Sequence, residues 1–144
     1  MREILFRGKS VNDGEWVFGS LVITTLEPVD DAPIKHYHIE DMTIGCFPNE
    51  FQSGLSETVD PNTVGQFTGL TDKNGKKIFE GDICQNTRTC EIVSVKWHGT
   101  MAGFVWSKRK EKSHLFDFGE LFRAYDKYEV IGNIHDNPEL LEVE

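Results

Sequence analysis

Two histidines in a short alternating segment have the best spacing in this chain for binding a metal ion. His36 and His38 flank Tyr37, so a β-strand would present both imidazoles on one face. Asp41 and Cys46 follow closely and could complete a His/His/Asp or His/His/Cys site. The spacing matches no standard zinc signature, and an exposed polar strand face explains the same pattern. We therefore expect no cofactor, and keep His36 and His38 as the weak metal candidates.

The cysteines are the next residues whose chemistry could matter. The chain has three, at Cys46, Cys84 and Cys90, which is an odd number and too few for a disulfide framework. Cys84 and Cys90 flank a polar loop, and a Cys-x5-Cys spacing is neither a redox nor a metal motif. A nucleophilic cysteine would need a histidine nearby in space. We interpret these residues as free thiols that pack as small hydrophobic side chains.

Aromatic and basic residues occur together late in the chain. Trp97, Trp106, Arg109 and Lys110 are candidate contacts for single-stranded nucleic acid, because rings stack on bases and cations bind phosphates. Aromatic residues at strand spacing more often form a hydrophobic core. The basic run 108–112 is also typical of a solvated loop tip. Nucleic-acid binding through the C-terminal half is therefore the alternative interpretation and not the favoured one.

The charge distribution also disfavours general binding to nucleic acid. The net charge is −9, and residues 1–72 carry 4 Lys/Arg and 12 Asp/Glu, a net of −8. Residues 73–144 carry 11 and 12, a net of −1. An acidic front half repels phosphate backbones. The sequence also has no P-loop, no Gly-x-Ser-x-Gly and no dinucleotide fingerprint. We expect a protein that is not an enzyme.

Length and composition indicate a folded globular protein. At 144 residues, with 38% hydrophobic and 27% charged residues, the chain fits one domain with a real core. The N-terminus has no signal-peptide pattern, and no apolar run approaches the roughly 20 residues that span a bilayer. We expect a cytoplasmic protein with no membrane partner.

Most of the chain is patterned as short strands separated by turns. An N-terminal hairpin is predicted over 2–9 and 16–23, with Gly14 in its Asp-Gly turn. Further strands are predicted at 34–39, 64–70, 78–84, 90–97, 103–107 and 128–134. Gly75, in an Asn-Gly turn, and the Gly81-Asp82 pair punctuate the central part. Asp72 is also suited to capping a turn through its side chain.

Helix is scarce in this pattern. Short helices are predicted within 115–125 and at 138–141, the second beginning with a proline after an asparagine cap. The predicted class is mainly β: a small SH3-like barrel or a strongly bent antiparallel sheet, with an N-terminal β-hairpin and one or two short helices. A seam near residue 61 divides an N-terminal hairpin with loops, 1–61, from a barrel-like half, 62–144.

Three patches resemble the YopX family of phage and prophage proteins. They are MREILFR at 1–7, VGQFTGLTDKNGKKIFEGDI at 64–83 and VIGNIHDNPELL at 130–141. Their order and spacing span the chain from end to end, and residues 24–60 contain no motif that resembles the family. The resemblance implies a single mainly-β domain over 1–144, encoded by a phage or prophage and present in the bacterial host cytoplasm. It implies no activity, and no catalytic or binding residues carry over.

Together these observations favour an interaction protein. We expect a non-catalytic phage accessory module that binds an unidentified host or phage protein, either as a monomer or as a homo-oligomer. The acidic front half and the absence of a catalytic motif support this expectation.

Overall fold

The computed structural model describes residues 3–40, 56–100, 102–108, 115–117 and 127–142. Within these ranges the chain forms two antiparallel sheets and one short α-helix. Its contacts divide into two compact units, Glu3–Gln66 and Phe67–Glu144. None of the helical segments in the described ranges has the length and apolar character needed to cross a membrane.

The first unit is an antiparallel sheet built on the N-terminal hairpin. Its strands are β1 (Phe6–Lys9), β2 (Trp16–Leu26), β3 (Ile34–Glu40), β4 (Ser56–Thr58) and the start of β5 (Gly65–Thr71). They lie in the order β4-β3-β2-β1-β5. In the turn after β1, Asp13 Oδ1 accepts the Glu15 N–H at 2.9 Å and Gly14 has φ 73°, a geometry that suits the Asp-Gly sequence. The predicted N-terminal hairpin is confirmed.

The core of the first unit lies at the C-terminal end of β3. Ile39 and Val59 are 1% and 2% exposed. Val59 packs closely against Gly8 on β1, where a Cβ would lie 3.0 Å from the Val59 Cβ. A 3-10 turn (Pro61–Thr63) follows, and its cap Asp60 accepts the Asn62 N–H at 3.0 Å.

The second unit contains the remainder of β5, which pairs with β6, and a five-stranded sheet in the order β10-β9-β8-β7-β11. Its elements are β6 (Lys77–Phe79), β7 (Asp82–Asn86), β8 (Ile92–His98), β9 (Gly103–Lys108), β10 (Leu115–Asp117), β11 (Tyr128–Asn133) and α1 (Glu139–Glu142). Its buried cluster consists of Ile78, Cys84, Val93, Val95, Trp106 and Tyr128. Burial of these mostly apolar side chains is the main force that holds the unit together.

The mainly-β class is confirmed, and the barrel is not. Neither sheet closes on itself among the described strands, so the SH3-like form predicted as one option is not confirmed. The strand predicted at 78–84 is broken at Gly81, which has φ 91° and donates its N–H to the Val95 carbonyl at 2.9 Å. That positive φ turns the chain and separates β6 from β7.

The helix predictions had mixed outcomes. The short C-terminal helix is confirmed as α1, one residue after Pro138. The helix predicted within 115–125 is wrong at its start, because Leu115–Asp117 pairs with β9 as strand β10. Pairing across a sheet outweighed the local helical spacing there. The remainder of that segment, 118–125, lies outside the described residues.

Candidate interaction surface

Strands β2 and β3 continue to pair with each other beyond the ends of β1 and β4, the strands on either side of them. Strand β1 pairs with β2 only as far as Gly19, and β4 pairs with β3 only from His38 onward. The segments 21–26 and 34–37, joined by the loop 27–33, therefore form a two-stranded extension, which we call the ribbon. The sequence predicted two strands here but not that they extend past β1 and β4. The pattern of a strand does not reveal which strands pair with it or how far they reach.

The ribbon exposes a group of large apolar side chains. Leu26 and Ile34 lie directly opposite each other and are 56% and 49% exposed. Ile23, on the other face, is 49% exposed, and Val29 in the loop is 99% exposed. A single exposed aliphatic residue is ordinary, but four on one small extension are typical of a docking surface. A two-stranded ribbon is also marginally stable alone in water, so a binding partner would stabilise it.

Carboxylates surround the most exposed of these residues. Glu27, Asp30 and Asp31 share the loop with Val29, and all three are exposed. Lys35 is the cation on the ribbon itself. An apolar tip with an acidic rim fits a partner whose apolar cleft is bordered by Lys or Arg.

The ribbon also has an open backbone edge. The Tyr37 carbonyl accepts the Val59 N–H at 2.9 Å, so the Tyr37 backbone groups point away from β2. Ile23 is the register partner of Tyr37, and in an antiparallel ladder its N–H and C=O must then point away from β3. By alternation Leu21 and Thr25 do the same. No described strand pairs with β2 on that side beyond Gly19.

His36 and His38 do lie on one strand face, with ring centroids 6.1 Å apart and stacked. Both ring nitrogens of His38 lie near hydroxyls: Nδ1 is 3.3 Å from Thr58 Oγ1 and Nε2 is 3.4 Å from Thr24 Oγ1. Nowhere in the described part of the chain do three or more His, Cys, Asp or Glu side chains cluster as metal ligands. The other predicted ligands, at positions 41 and 46, lie outside that part.

The two tryptophans singled out from sequence have different environments. Trp106 pairs with Val95 and Trp97 pairs with Phe104, so all four side chains share one face of the sheet. Trp106 is 6% exposed, with its ring centroid 5.0 Å from that of Tyr128, and it cannot stack on a base in this position. Trp97 is 50% exposed and meets Phe104 edge to face at 5.1 Å. Arg109 and Lys110 lie outside the described residues.

Cys84 is fully buried in the second unit, whereas Cys90 is exposed. Burial, reinforced by the carboxylates of Asp82 and Asp72, raises the pKa of the Cys84 thiol far above its ordinary value of 9.0, against a small opposing effect of Lys76. A thiol with a raised pKa is a poor nucleophile, because the thiolate is the reactive form. Cys84 is suited to packing and not to catalysis.

The signature at 64–83 is held together by two buried aspartates. Asp72 is 3% exposed, and its carboxylate accepts three backbone N–H groups: Asn74 at 2.8 Å, Lys76 at 2.9 Å and Val130 at 3.0 Å. Asp82 is 2% exposed and accepts the Phe79 N–H at 2.8 Å. Among the predicted turn residues, Gly75 adopts φ 82° in the loop that Asp72 caps. These roles are structural.

The closing motif at 130–141 meets the signature in space. The Ile134 N–H donates to the Gly81 carbonyl at 2.9 Å. The Asn133 side chain accepts the His135 N–H at 3.0 Å and the Asp136 N–H at 2.9 Å, which caps the turn after β11. Two patches far apart in sequence are therefore adjacent in the second unit. The residues that make up these two patches are explained by their roles in folding. The ribbon therefore remains the surface best suited to binding.

A family model and a solved structure match nearly the whole chain. The family model described as YopX protein matches residues 5–142. The crystal structure of protein EF1440 from Enterococcus faecalis is similar to this chain, with 26% sequence identity and a TM-score of 0.53 over 98% of this chain and 99% of that one. No curated protein matches the chain.

Proposed function

Because the chain belongs to the YopX family, whose signature residues have structural roles here, we propose that it is a non-catalytic protein-interaction module. It is produced by a phage or prophage and acts in the bacterial cytoplasm on a host or phage protein. The observation that carries the proposal is the ribbon, where Ile23, Leu26, Val29 and Ile34 expose apolar side chains on a two-stranded extension.

The proposal specifies the chemistry of the partner. The apolar side chains of the ribbon enter a cleft on the partner, and Glu27, Asp30 and Asp31 face its Lys or Arg rim. Rim charges mainly speed association and are screened by salt, whereas the apolar anchors slow dissociation. Raising the salt concentration should therefore weaken the complex moderately without abolishing it.

A capture experiment with paired variants tests the proposal. The wild-type protein and a Leu26→Ser/Ile34→Ser variant are immobilised, exposed to nuclease-treated lysate of the bacterial host, and the bound proteins are identified by mass spectrometry. A partner should bind the wild-type protein and be lost from the variant, because both anchors become polar.

Val11→Ser is the matched control. Val11 is also an exposed aliphatic residue, at 58%, but it lies in the turn after β1 and not on the ribbon. Its variant should keep the partner. Equal loss in both variants, or no protein that depends on Leu26 and Ile34, would contradict the role of the ribbon.

A second candidate function is single-stranded nucleic-acid binding, favoured by one observation. Trp97 offers a half-exposed ring against Phe104. A stacked base would quench tryptophan fluorescence, and Trp97→Phe should reduce the quenching without unfolding the protein. Affinity must fall steeply as salt rises, since phosphate contacts release counterions. Binding that ignores salt or survives Trp97→Ala unchanged would remove this candidate.

A further inference from the structure

The open edge of β2 lacks the features that usually protect an edge strand. Leu21–Leu26 contains no charged residue and no proline, although natural edge strands commonly carry Lys, Pro or inward-pointing charges that prevent pairing. The other edge of the ribbon, on β3, begins after Pro33 and carries Lys35. One side of the ribbon is therefore protected and the other is suited to pairing with another strand.

We infer that two copies of this chain pair antiparallel through the open edges of β2, with Ile23 directly opposite Ile23 of the second copy. This rests on the proposed function and deepens it, by naming a second copy as one partner and β2 as the strand that binds it. The faces and loop of the ribbon stay available to the host or phage protein.

The backbone geometry makes this edge complementary to itself. Leu21, Ile23 and Thr25 all direct their N–H and C=O groups outward. In an antiparallel pair centred on Ile23, Ile23 exchanges both bonds with its copy, and each Leu21 does so with the opposite Thr25. The pairing supplies about six backbone hydrogen bonds related by a two-fold axis, as an isologous interface requires.

The charges select a second copy in the antiparallel arrangement. The paired segment 21–25 has five residues in each copy and spans about 17 Å at roughly 3.4 Å each, so the two acidic loops lie at opposite ends, beyond the Debye length of about 8 Å. In this register Glu27 of one copy reaches the level of Gly19 in the other, where β1 begins. On β1 Arg7 is buried and Lys9 is partly exposed, so each acidic loop extends towards Lys9 of the other copy. Parallel pairing would instead place the two loops side by side.

Sedimentation analysis of the intact protein over a wide concentration range tests the inference. The wild-type protein should dimerise. Ile23→Lys places two like charges directly opposite and should raise the dimer dissociation constant at least roughly 10-fold. Ile23→Thr keeps an uncharged β-branched residue and should change it far less. Thr25→Pro removes an outward N–H and should weaken the dimer, whereas Thr25→Val should not.

Hydrogen exchange gives a readout that needs no variant. In the dimer the amides of Leu21, Ile23 and Thr25 should exchange slowly, and dilution to monomer should make them fast. The amides of Val22 and Thr24 bond to β3 in monomer and dimer alike, so their exchange should change far less with concentration. This alternation is specific to pairing at the open edge, since dimerisation through another surface would not produce it.

The outcomes separate this inference from the proposed function. A protein that is monomeric at every concentration, or whose dimer resists both Ile23→Lys and Thr25→Pro, would overturn the β2 pairing. If the wild-type protein captures a partner in that case and the Leu26→Ser/Ile34→Ser variant does not, the proposed function is still supported. The protein would then bind its partner through the ribbon as a monomer. A dimer that behaves as described, together with no captured partner, would support self-pairing as the interaction of the module and contradict the host or phage partner.

Discussion

Replacing Asp72 by alanine should destabilise the second unit more than any other single change of a turn residue. The carboxylate is 3% exposed and accepts three backbone N–H groups, from Asn74, Lys76 and Val130. Alanine leaves these donors without that acceptor, at about 1–3 kcal/mol for each donor that water cannot reach. Because Asn74 and Lys76 lie in a loop that can rehydrate, we expect about 3–5 kcal/mol in total, a large part of typical domain stability.

Urea denaturation followed by tryptophan fluorescence measures this change. Trp106 packs against Tyr128 in the same unit and should report its unfolding. Asp13→Ala is the matched control, because Asp13 is exposed and accepts one N–H, from Glu15 at 2.9 Å. It should lower the free energy of unfolding by less than about 1 kcal/mol. If Asp72→Ala lowers it no more than Asp13→Ala does, the three bonds do not hold the unit as argued.

Three further results are expected. Gly132→Ala places a Cβ 2.5 Å from Asn137 Oδ1 and should lower the free energy of unfolding by about 1–3 kcal/mol; an unchanged free energy would mean that Asn137 moves aside at no cost. Burial raises the pKa of the Cys84 thiol, so the unfolded state ionises first, and stability should fall above about pH 9 by up to about 1.4 kcal/mol per pH unit. Cys84→Val should lose that alkaline slope, and a slope that persists would refute its origin. Zinc should not raise the melting temperature, and a rise abolished by His36→Ala or His38→Ala would reinstate the metal site.

Local turn chemistry made much of the fold predictable. The Asp-Gly turn at Gly14 predicted the hairpin because it depends only on neighbouring residues. The same reasoning predicted that Asp72 caps a turn, and it does so through Asn74 and Lys76. Its third bond, to Val130, was beyond such reasoning, since that donor is 58 residues away.

The burial of a side chain on a strand could not be predicted from the alternation of the sequence. Alternation correctly places Trp97 and Trp106 on strands, yet one is half exposed and the other is in the core. Burial depends on what packs over each position, and Trp106 meets Tyr128 from a distant strand. The open edge of β2 escaped prediction for a similar reason, because edges are defined by the strands beside them and not by the strand itself.

The hydrogen bond between Asp72 and Val130 joins residues 58 positions apart, which has a consequence for the order in which the protein folds as it is synthesised. The first unit can form its pairing of β1 with β5 once residue 66 has left the ribosome. The second unit must wait, because β7 pairs with β11 and Asp72 bonds to Val130 only when the last strand emerges. During that interval the buried face of β7 and β8 is exposed and prone to aggregate. A ribosome that stalls before residue 128 should therefore present a nascent chain with one folded unit and one that is a substrate for chaperones.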